Sequence, residues 1–322
     1  MVERSDETDS QEKAGGSIPG SPEGAAFFLL EREPSRIPVL IAAPHGGRGY
    51  SRGLLADLRH GLSAVLRLED RHVDAVARDV AQVTGASLLV AHAPRAMVDL
   101  NRAPDDIDWD MFLRDARPPG GIAAPSRRAR GGLGLVPRRL PIVGDLWRRR
   151  FSREDLVQRI EQVHEPYHAT LSGVLARLRD RWGAALLIDL HSMPPLPVRA
   201  GIPRAQVVIG DRFGASCHDA IVAAAFEYLG QVGRPAVHNR PYAGGYVLER
   251  HAAPHAGIHA LQIEIDRSRY LDSALVEPGE GMPGMNRDLA GLVRRLAGIV
   301  AELGAAELGR ETSGQGWPLA AE

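Results

Sequence analysis

The stretch AALLIDLHSMPP, Ala184 to Pro195, decides the fold. It is a short apolar run, Ala184 to Leu190, bounded by Gly183 on one side and the Pro194–Pro195 pair on the other. A run of this length between breakers reads as a strand buried on both faces, which arises where helices cover a parallel sheet on both sides. Two polar residues interrupt that pattern near its carboxyl end, Asp189 and His191. Buried polar groups are costly without partners, and open α/β sheets build their sites where loops leave the carboxyl ends of strands.

Working outward, four more runs read as strands: Ile37 to Ala43, Ala86 to Ala91, Ala205 to Ile209 and Ile258 to Ile265. Helical patterns fill the gaps. Val73, Val76, Ala77, Val80 and Val83 recur at helical spacing and stop at Gly85, a C-terminal cap. Ser152 with Asp155 opens a second helix in capping-box fashion, carrying Leu156, Ile160 and Val163, and Pro166 should bend or end it. Ala215 to Leu229 and Asn286 to Leu303 read as two more helices. The alternation predicts an α/β fold in a single domain, a mixed, mostly parallel twisted sheet with helices on both faces.

The domain is expected to span residues 25–304. Residues 1–24 and 305–322 are polar, without periodicity, and read as disordered tails. Residues 114–150, rich in Arg, Gly and Pro, read as a long surface insertion bordering the site. That segment lacks interleaved aromatics for base stacking, and the net charge is only -1, so neither nucleic acid nor a membrane surface is an expected partner. The single cysteine, Cys217, excludes an internal disulfide and fits a reducing cytoplasm. Ala25 to Leu30 follows an acidic leader and is too short for a secretory core, and no run approaches a membrane span, so a cytoplasmic location is expected.

Three strand ends carry polar residues: APHGG after the first run, IDLHS in the third, QIEID on the last. His45, His191 and Glu264 could therefore converge. Two neutral imidazoles plus one carboxylate make a metal site that leaves room for water. By position the carboxylate is Glu69, Asp70 or Asp74. Asp189 could orient a ligand from behind. Glu264, a charge inside an apolar strand, marks itself as paired or functional. His164 and His168 are four apart but Pro166 lies between them, so a substrate-lining or capping place is expected for His168 rather than a metal pair. His251, His255 and His259 recur at four as well, but Pro254 and Gly257 assign them to a loop.

Eight blocks in order resemble the N-formylglutamate amidohydrolase family, which is related in fold to the zinc carboxypeptidases and aspartoacylase-type deacylases. They are VLIAAPHGG, EDRHVD, APRAMVDLNRAP, GLGLVPR, EPYHATL, IDLHSMPP, RPYAGGY and HALQIEIDRSRYLD, spanning roughly residues 38–272. The resemblance implies a zinc carboxypeptidase-like fold and one zinc ion per chain, or another divalent transition metal, held by His45, Asp70 and His191. Asp74 and Glu69 stand as the other acids of that block. It assigns Glu264 as general base and acid, and Asn101 with Arg102 as a clamp for a substrate carboxylate. Arg95 becomes a candidate for a second carboxylate or for the oxyanion. Tyr246 and Gly245, with Gly244, match a loop whose glycines let backbone approach the substrate. The implied activity is hydrolysis of the amide of a small N-acyl amino acid, N-formyl-L-glutamate to formate and L-glutamate. Two other readings stand beside it: a different N-acyl amino acid deacylase or carboxypeptidase-like enzyme on a peptide or cell-wall fragment, and a non-enzymatic protein binding an anion or RNA through the Arg-rich insertion.

Overall fold

The computed structural model describes residues 10–21, 23–117, 125–141, 143–198, 201 and 203–313. The elements follow in chain order: β1 (Ser10–Gly15), β2 (Phe27–Arg32), β3 (Val39–Ala43), α1 (Arg52–Asp57), α2 (Leu62–Val65), α3 (Val73–Thr84) and β4 (Ser87–Ala91). Next come α4 (Arg127–Arg130), β5 (Arg139–Leu140), β6 (Gly144–Asp145), α5 (Arg153–Arg159), α6 (Glu165–Trp182) and β7 (Ala185–Met193). The rest are β8 (Val207–Gly210), α7 (Asp219–Gln231), β9 (Ala236–His238), α8 (Tyr246–His251), β10 (Ile258–Asp266) and α9 (Met282–Ser313).

Eight strands form one sheet in the order β1-β2-β4-β3-β7-β10-β8-β9. The central four, β4, β3, β7 and β10, run parallel, while β2 and β8 join them antiparallel. The parallel centre follows from its composition: every residue of β3, β4 and β7 is buried. Side chains alternate between faces along a strand. Leu186, Ile188 and Leu190 of β7 enter the core under α3, α7 and α9, with Ile263 and Ile265 of β10 beside them. Ala185 and Leu187 enter the opposite core under α6, with Ala260 of β10.

Departures from the sequence expectation have physical causes. Ser10–Gly15, expected in a disordered tail, pairs antiparallel with β2 at the sheet edge. Backbone hydrogen bonds hold an edge strand without apolar side chains, so no periodicity announced it. The other tail boundary moves too, because α9 continues to Ser313. Pro166 does not end its helix: a π-helical turn, Ile160–His164, joins α5 to α6 and places the proline in the first turn of α6, where its missing N–H costs little. The expected capping box at Ser152 and Asp155 is present. The 114–150 segment is not confined to the surface, since Leu135, Val136, Leu146 and Trp147 are buried in the α6-side core. Residues 118–124 and 142 of that segment lie outside the described residues. Val83, counted on the apolar face of α3, is exposed. Among the described residues no helix is long and apolar enough to cross a membrane.

Candidate active site

The face alternation that buries Ala185 and Leu187 continues upward along β7 to Asp189 and His191, and along β10 from Ala260 to Gln262 and Glu264. Register does the rest: Gln262 pairs with Asp189 and Glu264 with His191. Four polar side chains thus lie on one face at the carboxyl ends of adjacent parallel strands, where a cavity of about 640 Å³ opens.

His45 enters from the loop after β3. Gly47 makes that loop possible, because a Cβ there would stand 2.2 Å from the Ala93 carbonyl oxygen. The Asp70 N–H donates to the His45 carbonyl at 3.0 Å, tying the next loop to the first. Donor atoms of His45, Asp70 and His191, all buried, lie within 4.8 Å of one another. Each imidazole is oriented from behind. His45 Nε2 is 2.8 Å from Asp99 Oδ1, and His191 Nε2 is 2.8 Å from Asp189 Oδ2. Both Nδ1 atoms therefore face inward, His191 Nδ1 at 3.0 Å and His45 Nδ1 at 3.6 Å from Asp70 Oδ2. His45 Nδ1 is buried without a hydrogen-bond partner. Arg267 Nη2 donates to the other Asp70 oxygen at 2.8 Å and so aims the carboxylate. An orphaned imidazole nitrogen beside a second imidazole and a carboxylate, each backed by its own partner, is a donor set that suits a divalent transition metal. This group could hold one.

The two other acids of the EDRHVD block are consumed elsewhere. Asp74 takes a bidentate pair from Arg48 at 2.9 and 2.8 Å. Glu69 is bound by the Tyr50 hydroxyl and by Arg71. Electrostatics follow this division. Burial would raise the Asp70 carboxyl, but the hydrogen bond from His191 and the nearby His45 imidazole hold it well below the usual carboxylate range. Burial would likewise lower His191, but Asp189 and Asp70 push it well above the usual imidazole value. A cation bound there displaces a proton.

Glu264 is 7% exposed and accepts from Gln262 Nε2 at 2.8 Å. Burial raises its carboxyl above the ordinary value, against the pull of His191 and Arg95. Asn101 lines the cavity, and its amide also makes two internal bonds: Nδ2 donates to Gln262 Oε1 at 3.3 Å and Oδ1 accepts from Val247 N at 2.9 Å. Asn101 thus bridges β10 to the start of α8. Gly245, the residue before α8, is required by this contact, since a Cβ there would meet Asn101 Oδ1 at 2.4 Å. Tyr246 lines the cavity, its hydroxyl accepting from Arg250 at 2.6 Å.

Arg95 lines the cavity while its Nε donates to Asp99 Oδ2 at 2.9 Å and its Nη2 forms an ion pair with the same oxygen at 2.9 Å. A guanidinium has five donors, so several remain for a ligand. Arg102 is held only loosely, Nε to Asp99 Oδ2 at 3.9 Å, and that nitrogen is buried without a hydrogen bond.

His168 does not line the cavity. It is fully buried on α6 and its Nε2 lies 3.0 Å from the Leu100 carbonyl, which can only accept, so Nε2 carries the proton. Its Nδ1 then accepts from His251 Nε2 at 2.9 Å, and His251 Nδ1 accepts from the Ser172 hydroxyl at 3.1 Å. His164, on the π turn, donates to the Arg102 carbonyl at 2.9 Å. Three histidines therefore hold the two carbonyls that bracket Asn101. Burial, then neighbouring positive groups, lowers His168 to about 2 and His251 to about 3. Of the triplet assigned to a loop, His251 ends α8 and His259 lies in β10, both buried.

Sequence reasoning singled out none of Gln262, Arg267 and Asp99. Gln262 was detectable, two residues from Glu264 on one strand face. Arg267 and the Asp99–His45 contact had no spacing signal, because their partners lie 197 and 54 residues away.

The model of the family described as N-formylglutamate amidohydrolase matches residues 37–271. The N-formylglutamate deformylase of Pseudomonas aeruginosa is 31% identical over 254 residues, 76% of this chain and 86% of that protein. That of Pseudomonas putida is 31% identical over 257 residues, 76% of this chain and 85% of the other. The crystal structure of N-formylglutamate amidohydrolase from Ralstonia eutropha JMP134 superposes with a TM-score of 0.78 at 30% identity, covering 86% of this chain and 99% of that one. With a matching model over the whole β3-to-β10 framework and relatives this similar across most of their length, the chain belongs to the N-formylglutamate amidohydrolase family.

Proposed function

We propose that this member of a hydrolytic family cleaves the amide of N-formyl-L-glutamate to formate and L-glutamate in the cytoplasm, with one zinc ion held by His45, Asp70 and His191. The observation that carries the reading is the inward-facing, partnerless Nδ1 of His45 beside His191 and Asp70, with Glu264 on the adjoining strand position. The names of the relatives supply the substrate. Zinc, when bound, supplies Lewis acidity and lowers the pKa of water toward about 7.

The chain's own residues do the rest. Glu264, its basicity raised by burial, takes a proton from the attacking water as the new C–O bond forms at the formyl carbon. The free N–H groups of Arg95 face the oxyanion that develops there. Glu264 returns the proton to the nitrogen as the C–N bond breaks, releasing the amine of glutamate. Arg102 holds a carboxylate of the substrate. Asn101, His168, Tyr246 and Gly245 shape and hold the loops around it.

The test combines metal content of the purified protein with formate release from N-formyl-L-glutamate. Glu264→Gln should retain the metal and lose turnover by orders of magnitude. A fully active Glu264→Gln protein, or a protein that takes up no stoichiometric metal, overturns the reading.

A further inference from the structure

The Arg-rich insertion returns to the cavity through α4. Arg128 lines the cavity, is exposed, and its guanidinium has neither an ion pair nor a hydrogen bond among the described residues. Arg102 faces the same space with its Nε unpartnered. Their relative position is fixed by backbone and side-chain bonds. Ser126, which caps α4, donates from its N–H and its hydroxyl to the two oxygens of Asp106, each at 2.9 Å. Asp106 lies four residues after Arg102 on the same loop. Leu135 further ties the insertion to that loop, its N–H donating to the Asp106 carbonyl and its carbonyl accepting from the Asp99 N–H, both at 2.7 Å.

The two arginines therefore line one cavity. Their charges interact: burial and the Arg128 charge together lower Arg102 against the pull of Asp99. Asp106 is engaged by Ser126, and Asp105 on the rim is exposed and bonded to neither arginine. Asp99 offsets part of the charge at Arg102, whereas Arg128 has no ion pair among the described residues, so an anion that reached both guanidiniums would be attracted by each.

We propose that Arg102 and Arg128 form a slot for a dicarboxylate, in which Arg128 reads the side-chain carboxylate and sets specificity. This rests on the deformylase reading. The α-carboxylate sits one carbon from the scissile nitrogen and must lie near the metal-ligand group, beside half-buried Arg102. The γ-carboxylate is three carbons from that nitrogen and reaches outward to exposed Arg128. The insertion then serves as the selectivity element for acidic over neutral N-acyl amino acids.

The experiment compares the metal-loaded wild-type protein with Arg128→Ala and Arg128→Lys on N-formyl-L-glutamate and N-formyl-L-glutamine. Arg128 is exposed and partnerless, so folding is not at stake. For the glutamate substrate, Arg128→Ala should lower kcat/KM about 10- to 100-fold, chiefly through KM, as expected for loss of a charged hydrogen bond. N-formyl-L-glutamine, lacking the distal charge, should fall far less, and Arg128→Lys should restore part of the preference. Equal effects on both substrates, or none, overturn the proposal. A second readout is calorimetric binding of glutarate, expected to weaken at least tenfold in Arg128→Ala; unchanged binding also overturns it. Glutarate binding decides the slot even if wild-type protein hydrolyses neither amide, a result that would refute the deformylase reading alone.

Discussion

Lowering the pH from 8 to 5 should destabilise this protein through two buried histidines. His168 and His251 are neutral in the fold, with pKa values pushed down to about 2 and about 3. In the unfolded chain each titrates near 6.5. Because the folded values are depressed, the unfolded state binds the protons first, and stability falls as the pH drops below about 6.5. At pH 5 each unfolded imidazole is stabilised by RT ln(1 + 10^1.5), about 2 kcal/mol, so the pair costs roughly 4 kcal/mol. The figure is insensitive to the folded values, provided they stay well below 5. It is a large share of an ordinary stability of about 5–15 kcal/mol. The assay is urea unfolding at a series of pH values for wild type and for His168→Gln, whose amide can still donate to Leu100. The variant should lose about half of this component, and subtracting the two curves cancels the metal-site histidines. A variant whose curve runs parallel to wild type between pH 8 and 5 would refute the reasoning.

Asp99→Asn leaves His45 Nε2 without its carboxylate, and metal affinity should drop about 10- to 100-fold in competition with a chelator; unchanged affinity would show that Asp99 serves only Arg95. Gly245→Ala forces a methyl toward Asn101 Oδ1 at 2.4 Å, and overpacking of this kind costs about 1–3 kcal/mol. Thermal unfolding should register that loss, together with reduced kcat/KM as Asn101 moves from Gln262 and Val247; a variant with wild-type Tm and kinetics would mean the loop yields freely.

Much of the site was legible as separate pieces. Burying an acid or an imidazole in a strand is costly, so Asp189, His191 and Glu264 stood out from their apolar neighbours. The family blocks then named Asp70, Arg95 and Arg102. What could not be read was which polar groups satisfy one another. Asn101, expected as a clamp, also ties Gln262 to the Val247 N–H through its amide. His168, expected against substrate, supports Leu100 from behind because a π turn keeps its helix running past Pro166. Hydrogen-bond partners depend on packing between distant elements, and no local spacing encodes that.

By itself the sequence determined the α/β class, the buried parallel centre and the strand ends that carry chemistry, because period-2 and period-3.6 burial leave local traces in residue order. Only the tertiary structure decided that β1 extends the sheet, that Asp70 rather than Glu69 or Asp74 turns toward the two histidines, and that Arg128 comes to line the same cavity as Arg102. Those outcomes are set by register and by competition among neighbours: Arg48 claims Asp74, Tyr50 and Arg71 claim Glu69, and Arg267 aims what remains.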